Sequence, residues 1–193
     1  SRPARMAAGD VLVAVVTARA PVGAKIGSPA GWRSVRRDTC AIAGRLPLTQ
    51  AVYVHVATGS EPSSTRFTVR SARAVTAGVA AYRGVDTARP VQATAGRLSR
   101  WSRRAVAPSV AHGGDALVAA FFARSAQGTI SAPQGTRRRF AAAGAPASAL
   151  AVDAVKPQAG SSGAMTASGR TAVACALVFA CGCGSVATPE LSH

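Results

Sequence analysis

The string Gly9-Asp10-Val11-Leu12-Val13-Ala14 returns later in the chain as Gly114-Asp115-Ala116-Leu117-Val118-Ala119. Ile26-Gly27-Ser28-Pro29-Ala30-Gly31 returns as Ile130-Ser131-Ala132-Pro133-Gln134-Gly135, and Arg73-Ala74-Val75 leading to Ala81-Tyr82 is echoed by Arg170-Thr171-Ala172 leading to Val178-Phe179. The offsets are 105 (Gly9 to Gly114), 104 (Ile26 to Ile130) and 97 (Arg73 to Arg170), so order is kept while connecting lengths drift. Collinear self-similarity of this kind marks a duplicated supersecondary unit. A unit of about four strands cannot cover both of its own faces. The two copies are therefore expected to cover each other inside one domain, residues 1–193, with halves at about 1–83 and 103–183 and a crossover at 84–102.

Period-2 alternation runs through the chain, with no stripe at helical spacing. In Gln50 to Val56 the inward set is Val52, Val54 and Val56, and the opposite set is Ala51, Tyr53 and His55. Strands are expected near 10–19, 33–38, 50–57, 65–71 and 74–83 in the first half. In the second half they are expected near 103–108, 115–124, 136–142, 148–154, 164–168 and 171–181. Turn clusters such as Gly59-Ser60-Glu61-Pro62-Ser63-Ser64 separate them. Many short strands with turns between them predict an all-β, antiparallel sandwich, jelly-roll-like, built from two repeat-related halves. The hydrophobic fraction of 48% is enough to pack its core.

One difference between the copies bears on assembly. Arg103-Arg104-Ala105-Val106-Ala107-Pro108-Ser109-Val110 precedes the second Gly-Asp turn as a strand-like lead, whereas the first turn has only Ser1-Arg2-Pro3-Ala4-Arg5-Met6 in that place. The expectation is an open edge that a neighbouring chain covers; the alternative is that residues 1–8 lie along the edge as an irregular arm. Thr171 to Cys183 is too short to cross a bilayer, which takes about 18 apolar residues, so no membrane span is expected. Val11 to Val16 is likewise too short for a signal peptide. The opening Ser1 fits either a trimmed secreted product or a chain that has lost its initiator Met.

Twenty-three basic residues against seven acidic ones give a net charge of +16, and all but Lys25 and Lys156 are arginines. Such a surface attracts phosphates, sulfates or carboxylates. Clusters at Arg36-Arg37, Arg103-Arg104 and Arg137-Arg138-Arg139 are the candidate anion-binding residues, set against the plainer reading of a solvated cationic rim. Trp32 and Trp101 are the candidate stacking residues, because an aromatic face among arginines can hold a base or a sugar.

The histidines are His55, His112 and His193, and none has a second ligand at a metal-type spacing. Asp10 and Asp115 each follow a repeated glycine, where a carboxylate caps backbone N–H groups in a turn. There is no nucleophile elbow, P-loop or dinucleotide fingerprint. No catalytic residue, metal or cofactor is therefore assigned, and the chain reads as a non-enzyme. Cys40, Cys175, Cys181 and Cys183 can form one or two disulfides through three pairings, or remain buried thiols. By parity Cys175, Leu177, Phe179, Cys181 and Cys183 share one strand face.

Ala7-Ala8-Gly9-Asp10-Val11-Leu12-Val13-Ala14, Pro29-Ala30-Gly31-Trp32, Gln50-Ala51-Val52-Tyr53-Val54-His55-Val56-Ala57-Thr58 and Ala80-Ala81-Tyr82-Arg83-Gly84-Val85-Asp86 occur in this order. Together they resemble an uncharacterised family of jelly-roll-like β-sandwich modules found in secreted bacterial and phage-associated proteins. The resemblance implies a non-catalytic module of extracellular or particle-surface architecture. Members of that family usually carry a further strand before the Ala-Gly-Asp turn. The expected function is a structural subunit of an extracellular filament, surface layer or virion, located outside the cell or on the particle and partnered by copies of itself or other subunits. The alternatives are a carbohydrate-binding or adhesion module for anionic glycans and charge-driven association with nucleic acid.

Overall fold

The computed structural model of the chain describes residue 3 and residues 6–42, 44–143 and 147–182, and there is no helix among them. Short apolar runs rich in Val, Ala and Thr, cut by Gly and Pro turns, favour strands throughout. The first half supplies β1 (Val11–Arg19), β2 (Ile26–Gly27), β3 (Arg33–Ile42), β4 (Arg45–Val56), β5 (Thr68–Val69) and β6 (Ala74–Tyr82). The second half supplies β7 (Ala93–Ala107), β8 (Ala111–His112), β9 (Ala116–Arg124), β10 (Arg137–Ala143), β11 (Ser148–Lys156), β12 (Gly160–Ser161) and β13 (Met165–Gly182).

The main strands form two antiparallel sheets, ordered β3-β4-β1-β6 and β10-β11-β9-β13-β7. Reading along both orders, β3 corresponds to β10, β4 to β11, β1 to β9 and β6 to β13, and β7 is the one addition. Each half thus occupies a sheet of its own, an order that does not establish a jelly-roll weave of both halves through both sheets. Three expectations are corrected. Residues 93–102, placed in the crossover, are the first part of β7, because the alternation there is hidden by small residues. The strand expected over 65–71 shrinks to β5, and those expected at 164–168 and 171–181 are one strand, β13.

Both faces of both sheets are covered. Between the sheets, Val11, Val13 and Val15 of β1, Val52 and Val54 of β4 and Tyr82 of β6 meet Leu117, Phe121, Leu177 and Phe179. The rings of Phe121 and Phe179 stack with centroids 5.6 Å apart. Outside the first sheet, Ala14, Val16, Ala51 and Tyr53 lie under Ile26, Trp32, Phe67 and Val69, carried by the β2–β5 ribbon and its flanks. Outside the second sheet, Val118, Phe122, Leu150 and Val152 lie under Ala105, Ala107, Met165 and Ala167. Those four come from the far part of the β7–β13 ribbon, which breaks register at bulges between Ser168 and Ala174 and folds back over the sheet. Double coverage explains why β1 and β9 are buried at every position and carry unbroken apolar strings instead of alternation.

The repeated Gly-Asp dipeptides do not superpose residue for residue. Gly9 has φ +83° and donates its N–H to the Ala57 carbonyl at 2.8 Å, while Asp115 has φ +49° and donates to the Pro157 carbonyl at 3.1 Å. Gly9 therefore corresponds to Asp115, one residue beyond the sequence match. A one-residue slip exchanges the faces of a strand. As a result Leu117, Ala119 and Phe121 face the other sheet, and Val118, Ala120 and Phe122 face outward. Asp10 is buried, whereas Asp115 is exposed, so the two aspartates do not share a role.

Close contacts fix how the sheets stack. A Cβ on Gly96 of β7 would lie 1.8 Å from an Asp38 carboxylate oxygen of β3, and one on Gly78 of β6 would lie 2.6 Å from the Phe140 ring of β10. Hence β3 faces β7 on one side of the sandwich, and β6 faces β10 on the other. A disulfide joins Cys40 of β3 to Cys175 of β13 across the sheets, closing a sequence separation of 135 residues, among Leu48, Ala123, Ala147 and Val173. Cys181 is buried on the same face of β13, its sulfur 3.5 Å from the Leu117 carbonyl oxygen. Cys183 and His193 lie outside the described residues. Replacing both Cys40 and Cys175 by Ala should lower unfolding free energy by about 2–5 kcal/mol in urea titrations. Unchanged stability in that variant would refute the inter-sheet bond.

Candidate functional site

With both faces covered, charged side chains collect on the edge strands and turns, and the few acids decide which arginines are neutralised. Asp10 accepts from Arg83 Nε at 3.1 Å and Nη2 at 3.2 Å and from the Ala7 N–H at 2.8 Å. Asp38 accepts from Arg36 Nε at 3.0 Å. Asp153, buried on β11, takes Arg139 through Nε and through Nη2 at 2.9 Å. Arg139 is turned inward by a bulge between Arg138 and Phe140, and its guanidinium lies 5.8 Å from the centre of the Tyr82 ring. Burial, with the neighbouring Asp153 carboxylate, pushes the Tyr82 hydroxyl well above the ordinary phenol range.

The three arginine clusters are therefore divided. Arg36 and Arg139 are held by intramolecular ion pairs, and Arg37 donates to the Ala24 carbonyl. Arg137 and Arg138 are exposed on β10, on the side shared with β6. Arg103 and Arg104 are exposed on β7, together with Arg97 and Arg100, and Arg33 and Arg37 are exposed on the facing β3. Among the described residues, no carboxylate pairs with any of these four β7 arginines. The first cluster faces the Gly96 stretch of β7, Arg103 and Arg104 lie past the bulge where the ribbon turns over the outer face, and the third cluster is on β10, across the sandwich from β3.

The two tryptophans differ in kind. Trp32 stacks on His55 with centroids 5.4 Å apart and meets Phe67 edge-on at 5.4 Å, so its ring belongs to the outer packing of the first sheet. Trp101 is 62% exposed and has φ +42°, in the bulged stretch of β7. Beneath it lies Arg124, 1% exposed, which no alternation pattern singles out. Arg124 donates to the carbonyls of Ser102 (2.6 Å), Arg103 (3.1 Å) and Arg170, and desolvation by burial lowers its pKa. A buried guanidinium thus gathers three carbonyls around the bulge, two of them, those of Arg103 and Arg170, from residues outside the ladder register.

A cleft of about 1000 Å³ opens at one end of the sandwich, between β4 and the connection after β6, lined by Arg33, His55, Asp86, Arg89 and Gln92. Asp86 caps the Ala88 N–H at 2.9 Å. His55 has both ring nitrogens engaged, Nδ1 with the Gly31 carbonyl at 2.9 Å and Nε2 with Glu61 at 3.2 Å. The cleft offers polar contacts of both signs. His112 lies on β8, buried, with Nδ1 donating to the Gly113 carbonyl at 2.8 Å. Among the described residues no three metal-ligating side chains come together, and no helix is long and apolar enough to cross a membrane.

The edges themselves differ. β3 carries Arg33, Arg36, Arg37 and Asp38; β7 carries four arginines and a bulge; β10 carries three arginines and a bulge. Charges and bulges of this kind prevent unwanted strand pairing. β6 reads Ala-Val-Thr-Ala-Gly-Val-Ala-Ala-Tyr, pairs among the described residues only with β1, and has neither charge nor bulge. It is also the counterpart of β13, which in the other sheet has β7 beside it. Comparison of the chain with protein-family models, curated proteins and solved structures found no match.

The loop beside the cleft makes its own prediction. Desolvation acts to raise the Glu61 carboxyl, but hydrogen bonds from Thr58, its own backbone and His55 outweigh it and hold the group at about 2 against an ordinary 4.5. A depressed folded pKa stabilises the fold above pH 4.5, and that contribution is lost as pH falls toward 2. Glu61→Gln should flatten the stability profile across this window in urea titrations at stepped pH. A variant as acid-sensitive as the parent would contradict the assignment.

Proposed function

We propose that the protein is a non-catalytic structural subunit, a β-sandwich building block of an extracellular filament, surface layer or virion, joined to another copy through the edge of β6. The observation that carries this reading is the contrast between β6 and the other three edges. Nine uncharged, mostly small residues present unpaired backbone donors and acceptors at the position where the second sheet takes up β7. In a chain of net charge +16, copies repel one another, and β6 is the main edge strand without arginines. A strand from a second copy adds there with the smallest Coulomb cost. Pairing of β6 with itself is isologous and closes at two copies, so the dimer is the unit from which a larger assembly is built. The inter-sheet disulfide agrees with an oxidising compartment outside the cytoplasm. A glycan-binding module has less support, since Trp32 is committed to internal packing.

Sedimentation velocity tests this directly. Raising ionic strength from about 0.05 M to about 0.5 M shortens the screening length and should promote dimers or larger species of the parent chain. Val75→Lys with Ala77→Lys, both exposed on β6, should stay monomeric at either salt while shifting unfolding free energy by no more than about 0.5 kcal/mol per site. A parent that remains monomeric throughout, or a lysine variant that associates as well as the parent, overturns the proposal.

A further inference from the structure

The β3–β7 side of the sandwich carries a second surface, on the flank opposite β6 and independent of the reading above. Trp101 is the most exposed aromatic among the described residues, and its ring is displayed by a backbone conformation that L side chains seldom adopt. The conformation is imposed from below. Ser99 pairs with Ala174 and Ser102 with Ala172, so Arg100 and Trp101 form the looped-out part of the bulge. Arg124 holds the carbonyls of Ser102, Arg103 and Arg170 from the buried side. On the near flank, the Arg104 N–H bonds to Ser102 Oγ at 3.0 Å. A strained residue at the surface, fixed by a buried cation, is a feature that folding alone does not call for, because a glycine would fit the turn with less cost.

The residues that flank Trp101 along β7 and across the ladder indicate its ligand. Arg97, Arg100, Arg103 and Arg104 on β7 and Arg170 on β13 are exposed, and no carboxylate pairs with them among the described residues. Guanidinium forks match phosphate oxygens, and both the indole face and the guanidinium plane stack on flat rings. We infer that the Trp101 bulge is a binding site for single-stranded nucleic acid, in which a base stacks on Trp101 and the flanking arginines hold phosphates. A sulfated polysaccharide would satisfy the arginines but offers no flat ring to the indole, so the nucleic acid fits the whole arrangement better. Recognition of this kind tolerates any base, and its affinity falls with salt.

The test uses the full chain and an oligothymidylate of about 16 nucleotides, followed by fluorescence anisotropy and tryptophan quenching at several salt concentrations. Binding by the parent should quench emission and weaken steeply with salt. Trp101→Gly suits the left-handed backbone, so it should be at least as stable as the parent in urea, yet lose affinity about fivefold or more together with the quenching. Trp101→Phe should retain most of the affinity. Arg100→Ala and Arg103→Ala should each reduce the slope of log affinity against log salt by about 0.7. Equal affinity of parent and Trp101→Gly overturns the site in favour of diffuse charge. Binding of heparin without binding of the oligonucleotide overturns it in favour of a sulfated glycan, and binding of neither overturns it outright.

Discussion

Val11, Val13 and Val15 meet Phe121 and Phe179 across the interior, while Ala14 and Val16 of the same strand are covered from outside by Trp32 and Phe67. The second sheet is enclosed in the same way, with Phe122 and Val118 under Ala105, Ala107, Met165 and Ala167. Two sheets buried on both faces leave most charge to the edges and the turns, since an unpaired ion in the interior costs several kcal/mol. A chain with 23 basic residues must then decorate its edge strands with arginine, and β3, β7 and β10 show that it does. The bareness of β6 acquires meaning against this background. It is the exception to a distribution that burial otherwise enforces.

Two of the charged exceptions inside the core share a pattern. Arg139 is turned inward by a bulge and meets Asp153, so a formal charge pair is buried with matched hydrogen bonds. Arg124 is buried without a carboxylate and is answered by backbone carbonyls at another bulge. In both cases a break in the ladder creates backbone or side-chain demand, and one guanidinium, with five donors in a fixed fork, meets it. Lysine, with a compact ammonium, would serve neither place as well. The preponderance of arginine therefore has a structural component besides its effect on the surface.

The sequence makes much of this fold legible, and the limits have physical causes. Alternation in β4 and the Gly-Asp turns before β1 and β9 locate the central strands, whereas the strand that the second sheet has and the first lacks comes from residues 93–102, which read as crossover, and the strand-like lead at 103–107 belongs to the ribbon that folds over the outer face. The dipeptide match is nevertheless one residue out of step, because Asp can take the left-handed place that Gly9 takes, and identity of letters does not fix which residue bears the turn. The arginine clusters read as units on paper. Adjacent residues of a strand face opposite ways and bulges re-aim them, so Arg36 and Arg139 turn to acids of their own chain while Arg37, Arg103 and Arg104 stay outside. Trp32 and Trp101 look alike in composition. Only the rings of His55 and Phe67, brought from β4 and the β5 flank, separate a packing residue from an exposed one. The pairing of Cys40 with Cys175 required knowing that β3 lies across from β13, a long-range relation no spacing reports.

Charge also sets how the two proposed surfaces act together. Salt screens repulsion between copies and so favours contact through β6, whereas the same salt weakens the hold of arginines on a polyanion. A polyanion lying along β3 and β7 neutralises part of the net positive charge without touching β6, which is on the far side of the sandwich. It thereby lowers the repulsion that opposes pairing, and by reciprocity pairing strengthens the grip on the polyanion. Two copies joined at β6 also present their basic flanks at opposite ends of one continuous sheet, so a single strand can engage neighbouring units with an effective concentration set by its own length. On the two proposals together, one bare edge and one cationic flank would turn excess charge from an obstacle to self-assembly into a condition on it, with association favoured where the counter-ion is polymeric.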